Sequence, residues 1–195
     1  MTDFIEIIPN VLSIEECNKI ISIIESKSEH FTVENNLEDG IVTTVNEHRN
    51  DVNIFSRHFS SFRPAEELVA NAIKAHKPEY YDGNKEHFEH LDILKFQKSS
   101  AGGGFFDWHT EQGDSATASR FLVWMIYLNT VEKGGHTEFK YQKRSLKPTA
   151  GTLVYWPAGY THIHRAAPDL GEDKYIATGW FSYNRKKETL YSWEE

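Results

Sequence analysis

Two pairs of side chains at alternate positions could bind a metal ion. His109 and Glu111 are separated by one residue, and so are His162 and His164. On an extended strand, residues i and i+2 point to the same face, so each pair could approach one cation from one side. Imidazole and carboxylate groups are common ligands of transition metals. One such pair is a weak indication, because many surface strands carry it, so its meaning depends on the residues downstream.

The downstream residues extend the first pair towards a known kind of metal site. A histidine follows about 55 residues after His109, and Lys174 comes ten residues after His164. Two histidines and one carboxylate on one face of a metal form the triad of non-haem Fe(II) oxygenases, whose open positions take a cosubstrate and O₂. A jelly roll suits this triad because its neighbouring strands bring residues that are distant in sequence into one pocket.

Strand-like segments alternate with glycine or proline turns from Leu91 onward. Short strands without a helical period between them predict an antiparallel sandwich or barrel. The segments are Leu91–Phe96, Phe105–Glu111, Phe121–Leu128, Gly151–Trp156 and Tyr175–Tyr183.

Two helices are predicted before this region, and we expect them to pack on one outer face of the sheet. Ser13 and Glu16 form a capping box that begins the first helix, and Pro64 begins the second, which ends near His76. The remaining predictions are short strands at Phe4–Ile8 and Ile41–Val45, a polar turn at Arg49–Asp51, a strand or loop at Val52–Phe55, loop from Lys27 to Gly40 and a frayed tail from Asn184.

Size and composition predict one domain in a reducing compartment. The 195 residues fit a single domain, with residues 1–90 as a supporting region and residues 91–183 as a catalytic jelly-roll core. The net charge of -8 argues against binding to nucleic acid or an anionic membrane and favours a basic target. The single cysteine, Cys17, and the lack of a signal-like N-terminus or a long apolar run predict a cytoplasmic protein.

Five motifs in the second half of the chain occur in a familiar order. They are His109-Thr110-Glu111, Tyr127-Leu128-Asn129, Gly134-Gly135-His136-Thr137, His164-Arg165-Ala166-Ala167-Pro168 and Lys174. In these motifs the region from about Leu91 to Tyr183 resembles the double-stranded β-helix of the 2-oxoglutarate-dependent Fe(II) dioxygenases. It is most similar to the prolyl 4-hydroxylase-like branch.

The resemblance implies a mainly β fold, a double-stranded β-helix with N-terminal helices packed on the sheet, and a set of site residues. Fe(II) would be bound by His109, Glu111 and His164. His162 is the competing third ligand, on the assumption that it shares the strand face of His164, but the proline and the lysine that follow select His164. Lys174 would bind the distal carboxylate of 2-oxoglutarate, with hydroxyl donors from Tyr127 and Thr137.

Two residues depart from the family pattern. Glu111 stands where aspartate is usual, and its extra methylene changes the reach of the carboxylate to the metal. Phe96 stands where the family often has a tyrosine that donates a hydrogen bond to the cosubstrate, so some contacts to the cosubstrate would differ.

The predicted function is hydroxylation of a prolyl residue in a peptide or protein, with O₂ and 2-oxoglutarate consumed and succinate and CO₂ released. The resemblance also suggests ascorbate as an aid to activity. A free amino acid or another small molecule is the alternative substrate. Two other hypotheses remain. One is a nucleic-acid demethylase, which the negative net charge and the lysine at position 174 disfavour. The other is a non-catalytic jelly-roll binding module. The sequence leaves the oligomeric state open.

Overall fold

The structure is a computed structural model that describes residues 3–31, 40–78, 91–168 and 171–183. Within these ranges, no helix is long and apolar enough to cross a lipid bilayer. The elements in chain order are β1 (Glu6–Ile8), α1 (Ile14–Glu25), β2 (Ile41–Val45), β3 (Arg49–Phe55), α2 (Arg63–Ala75), β4 (Leu91–Ser99), β5 (Gly104–Phe105), β6 (Arg120–Tyr127), β7 (Thr137–Phe139), β8 (Arg144–Leu146), β9 (Thr152–Pro157), β10 (His164–Ala166) and β11 (Lys174–Ser182).

The strands of the described chain form two antiparallel sheets. The larger sheet has the order β1-β9-β6-β11-β4-β3-β2, and β5 pairs with β3 beside it. The smaller sheet has the order β10-β7-β8. Strands that are far apart in sequence are therefore neighbours, as β6 and β11 show. The prediction of a mainly β jelly roll is confirmed.

Alternation along the central strands divides the core into two parts. On β6, Leu122, Trp124 and Ile126 belong to the cluster that includes the buried faces of α1 and α2. Val123 and Met125 belong to a second cluster, which includes residues of the smaller sheet. A one-residue slip of β6 would exchange the two sets. Because burial of a large apolar side chain is worth roughly 1.5–3 kcal/mol, this arrangement fixes which side chains enter the space between the sheets.

Both predicted helices form, and they pack on the face of the larger sheet that is opposite the smaller one. Ser13 caps α1: its Oγ accepts a hydrogen bond from the Glu16 backbone N–H at 3.2 Å, and the Glu16 carboxylate accepts one from the Ser13 N–H at 2.8 Å. The capping box is thus confirmed. In α2, Pro64 lies in the first turn, where its missing N–H has no helical partner to lose.

The structure also corrects some of the predicted elements. Residues Arg49–Asp51 were predicted as a turn but form the start of β3. The segment Phe105–Glu111 is not one strand, because β5 ends at Phe105 and His109 pairs alone with His164. The short strands β7, β8 and β10 were not predicted, since three residues are too few to show a period of two. The predicted tail and most of the Lys27–Gly40 loop lie outside the described residues.

Candidate active site

Three side chains converge with ligand atoms directed at one point. Nε2 of His109 lies 3.6 Å from Oε1 of Glu111, and Nε2 of His164 lies 3.4 Å from the same oxygen. One ligand atom from each residue lies within 4.8 Å of the others. Adjacent ligand atoms that bind one transition metal at about 2.0–2.2 Å lie roughly 3–3.6 Å apart, and the two distances to Oε1 of Glu111 match this spacing. Two imidazoles and one carboxylate therefore fit a divalent metal such as iron, with room left for exchangeable ligands.

Backbone pairing places the two histidines side by side. The N–H of His109 donates to the carbonyl of His164 at 2.9 Å, and the N–H of His164 donates back at 3.0 Å. Glu111 is held two residues further on, where its N–H donates to the carbonyl of Ala158 at 3.1 Å. The His-x-Glu pair is thus positioned by long-range hydrogen bonds and not by a strand of its own.

Each ligand imidazole is oriented by a carbonyl. Nδ1 of His109 lies 2.9 Å from the carbonyl oxygen of Asp107, and Nδ1 of His164 lies 2.9 Å from that of His162. A carbonyl only accepts, so Nδ1 carries the proton and donates it. Nε2 of both rings is then the atom presented to a metal, which is the usual arrangement for histidine ligands.

The carboxylate of Glu111 is held from the opposite side. Nε1 of Trp180 donates to its Oε2 at 2.9 Å, and the Arg120 guanidinium lies 3.7 Å from the same oxygen. Burial opposes ionisation, but the interactions with His109 and His164 outweigh it and hold the pKa of Glu111 well below its usual range. The longer side chain of glutamate therefore reaches the triad as a fixed anion.

Lys174 lines the same cavity, whose volume is about 230 Å³. It is 4% exposed, and its Nζ donates to the carbonyl of Gly135 at 2.9 Å. Gly135 has a φ of 64°, a left-handed backbone conformation that favours glycine. Its N–H donates to the carbonyl of Pro168 at 3.0 Å. Three of the sequence motifs thus meet around one buried ammonium, whose binding of a carboxylate stays a prediction.

Thr137 and Tyr127 are linked, but they differ in their access to the cavity. The Tyr127 hydroxyl donates to Oγ1 of Thr137 at 2.7 Å, and only Thr137 lines the cavity. Burial raises the pKa of Tyr127 despite this hydrogen bond, so the hydroxyl remains a donor. The sequence predicted both as contacts of the cosubstrate. Thr137 lines the cavity, and Tyr127 holds the Thr137 hydroxyl, while contact of either residue with the cosubstrate stays a prediction.

Two expectations about individual residues are wrong. His162 does not share a strand face with His164; it lies in a helical turn, and its Nε2 donates to the Asp3 carbonyl at 2.8 Å while Nδ1 accepts from Thr161. Phe96 was expected beside the cosubstrate. It is fully buried on the helix-facing side of β4, where its ring centre is 5.4 Å from that of Phe62. Replacement of a tyrosine there therefore removes no donor from the cavity.

The sequence did not predict a group of polar side chains on β3 and β4 that lie at one side of the cavity. Asp51 is 2% exposed and accepts hydrogen bonds from Arg49, Asn53 and Gln97 at 2.6–2.9 Å. Arg49 and Gln97 line the cavity together with Lys95. The alternating pattern of β4 could have predicted two of these residues. Polar residues at 95 and 97 flank the apolar Phe96, and on a strand they point to the face opposite the apolar core.

Comparison with known proteins agrees with this geometry. Residues 93–182 match the family model described as the 2OG-Fe(II) oxygenase superfamily. Prolyl 4-hydroxylase 13 of Arabidopsis thaliana is 20% identical over 196 residues, which cover 89% of this chain and 69% of that protein.

Solved structures show the same fold at low sequence identity. A prolyl hydroxylase from Trichoplax adhaerens, solved with a peptide fragment of the hypoxia inducible factor oxygen degradation domain, has a TM-score of 0.69 and 14% identity, with 93% of this chain and 84% of that chain covered. A prolyl-4-hydroxylase from Pseudomonas putida has a TM-score of 0.63 and 15% identity, with 93% of both chains covered.

Proposed function

Since the chain belongs, through residues 93–182, to the 2OG-Fe(II) oxygenase superfamily, we propose that it hydroxylates a prolyl residue in a peptide or protein. The observation that carries the proposal is the convergence of His109, Glu111 and His164 within 4.8 Å. Their cavity also contains the buried Lys174. A metal ligand set and a separate cation in one cavity match a cosubstrate that has one chelating end and one anionic end.

His109, Glu111 and His164 would hold Fe(II), which together with 2-oxoglutarate and O₂ supplies the oxidation of a substrate C–H bond. The chain itself fixes the ligands. The carbonyls of Asp107 and His162 set the two imidazoles, while Trp180 holds the carboxylate at 2.9 Å. Such partners of metal ligands typically change metal affinity or activity by about 10–100-fold when they are removed.

Lys174 would anchor the distal carboxylate of 2-oxoglutarate. An ammonium that is 4% exposed is costly unless an anion or several acceptors surround it. The carbonyl of Gly135 supplies one acceptor, and a carboxylate would supply charge neutralisation. Thr137, whose hydroxyl accepts from Tyr127, is then free to donate its own proton to the same carboxylate.

A peptide substrate is favoured by the surroundings of the triad and by the relatives. Trp108 precedes the first ligand and is 38% exposed, with the Arg165 guanidinium 4.5 Å from its ring centre. Exposed aromatic rings are typical of surfaces that bind proline-containing segments. The relatives from Arabidopsis thaliana, Trichoplax adhaerens and Pseudomonas putida carry prolyl hydroxylase names.

The experiment is a turnover assay with Fe(II), 2-oxoglutarate, O₂ and proline-containing peptides, with L-proline as the small-molecule arm. We expect succinate together with a mass gain of one oxygen atom on a peptide. His164→Ala should abolish both signals, whereas His30→Ala, at an exposed histidine far along the chain from the triad, should change neither. Absence of both succinate and Fe(II)-dependent binding of 2-oxoglutarate would refute the enzyme proposal and favour a non-catalytic binding module.

A further inference from the structure

Lys95 is a cation of the cavity for which the proposed reaction gives no role. It lies on β4 and lines the cavity with the triad. Its Nζ is 5.7 Å from the centre of the Trp180 ring, the same indole that binds Glu111. Among the described residues, no side chain or carbonyl forms a hydrogen bond or ion pair with this ammonium.

The acidic groups that face Lys95 are already engaged. Asp51 accepts from Arg49, Asn53 and Gln97, and Oε2 of Glu111 accepts from Trp180. Two further cations, Arg49 and Arg120, face the same ammonium. Burial, with repulsion from Arg49, lowers the pKa of Lys95 to about 8. A lysine in such surroundings is stabilised when an anion enters beside it.

The cavity as a whole has an excess of positive charge. Arg49, Lys95, Arg120, Arg165 and Lys174 line it, against one carboxylate, Glu111. Arg165 is paired with Glu138 at 2.7 Å, and Arg49 is paired with Asp51 at 2.8 Å. This local excess contrasts with the net charge of -8 for the chain. It points to an anionic ligand, whereas the net charge alone favoured a basic one.

The two lysines start from different places along the sheet. On β4 and β11, Ser99 is opposite Lys174 and Lys95 is opposite Thr178. Their Cα atoms are therefore separated by four strand positions, or about 13 Å at about 3.3 Å per residue. The Lys95 ammonium lies beside the Trp180 indole that binds Glu111, whereas the Lys174 ammonium lies at the Gly135 carbonyl. The proposed anchoring of the distal carboxylate of the cosubstrate therefore uses Lys174 and assigns no anion to Lys95.

We propose that Lys95 binds a carboxylate of the substrate, so that the enzyme selects a prolyl residue that carries or adjoins a negative charge. This inference rests on the proposed function. The carboxylate has two sources: the side chain of a neighbouring glutamate or aspartate, or the free C-terminus of a chain that ends in proline. Both present the same group, and they are separated by the choice of peptide.

The test is the affinity of matched peptides for the protein loaded with Fe(II) and 2-oxoglutarate without O₂, measured by calorimetry. One set has glutamate, glutamine or lysine on either side of a central proline. The other set ends in proline as a free acid or as an amide. We expect the acidic member of at least one set to bind 10-fold or more tightly than its neutral partner, and Lys95→Met to reduce that ratio below 2-fold. Lys133→Met, at an exposed lysine, should leave the ratio unchanged.

A charge swap separates recognition from a structural role. In Lys95→Glu the order should reverse, so that the lysine peptide binds more tightly than the glutamate peptide. A wild-type protein that does not prefer acidic peptides, or a preference that survives Lys95→Met, would overturn the inference. Succinate formation in the presence of O₂ tests the proposed function separately from the proposed role of Lys95. If succinate forms while the charge of the peptide has no effect on affinity, only the role of Lys95 is refuted.

Discussion

Trp180→Phe isolates the hydrogen bond that orients the metal-binding carboxylate. The indole Nε1 donates to Oε2 of Glu111 at 2.9 Å, and phenylalanine keeps an aromatic ring but removes the donor. A hydrogen bond to a charged group contributes about 1.5–3 kcal/mol. At about 1.4 kcal/mol per factor of ten, full loss from the metal-bound state would weaken metal affinity by about 10–100-fold.

A matched tryptophan serves as the control. Trp124 is fully buried in the helix-facing core, and its Nε1 has no hydrogen-bond partner in the part of the chain that the structure describes. Trp124→Phe therefore makes a similar change in volume without removing a bond to the site. We expect it to lower the thermal stability while leaving the affinity for the metal within about 2-fold.

The assay is an anaerobic titration of each variant with Fe(II), repeated with Mn(II) as a redox-stable probe. Thermal unfolding of the metal-free variants provides the stability baseline. If Trp180→Phe changes the metal dissociation constant by less than 3-fold, or if Trp124→Phe weakens it equally, then the indole does not orient Glu111 and the argument fails.

Three further predictions concern single residues. His164→Ala should abolish metal binding, whereas His162→Ala should retain it and lose about 1–3 kcal/mol of stability, because the Asp3 carbonyl loses its donor; metal titration and denaturant unfolding check this, and the reverse result would make His162 the ligand. Lys174→Ala should raise the 2-oxoglutarate concentration for half-maximal succinate formation at least 10-fold without changing Fe(II) affinity, and equal loss of both would contradict its role. Burial lowers the pKa of His162 below its ordinary 6.5; the unfolded chain then binds more protons, so the free energy of unfolding should fall as the pH drops below about 6.5, and His162→Asn should show a smaller fall in unfolding measured against pH.

The site was predictable where the chemistry required specific residue types at specific spacings. His109, Glu111 and His164 were chosen because few side chains bind iron, and the structure brings their ligand atoms together. Lys174 was chosen from its place in a motif, and it lines the same cavity. In both cases the residue types and their spacing in the sequence were sufficient to predict the site residue.

The missed features depend on contacts that local patterns do not contain. Arg49–Asp51 looks like a turn because it is polar, yet Asp51 is buried by hydrogen bonds that include Gln97, 46 residues away. His162 has the right spacing for a strand partner of His164, but its bond to Asp3 belongs to a helical turn. Tertiary hydrogen bonds overrode local preference at both places.

The pairing of His109 with His164 also has a consequence for folding. The two ligands meet only when segments 55 residues apart in sequence have paired, and the turn before His164 is tied to Asp3, 159 residues earlier. Contacts of such large sequence separation carry the highest loop-closure cost, and chains rich in them fold slowly. Forms in which these segments have not yet paired would thus lack a complete metal site, and uptake of metal would follow their pairing.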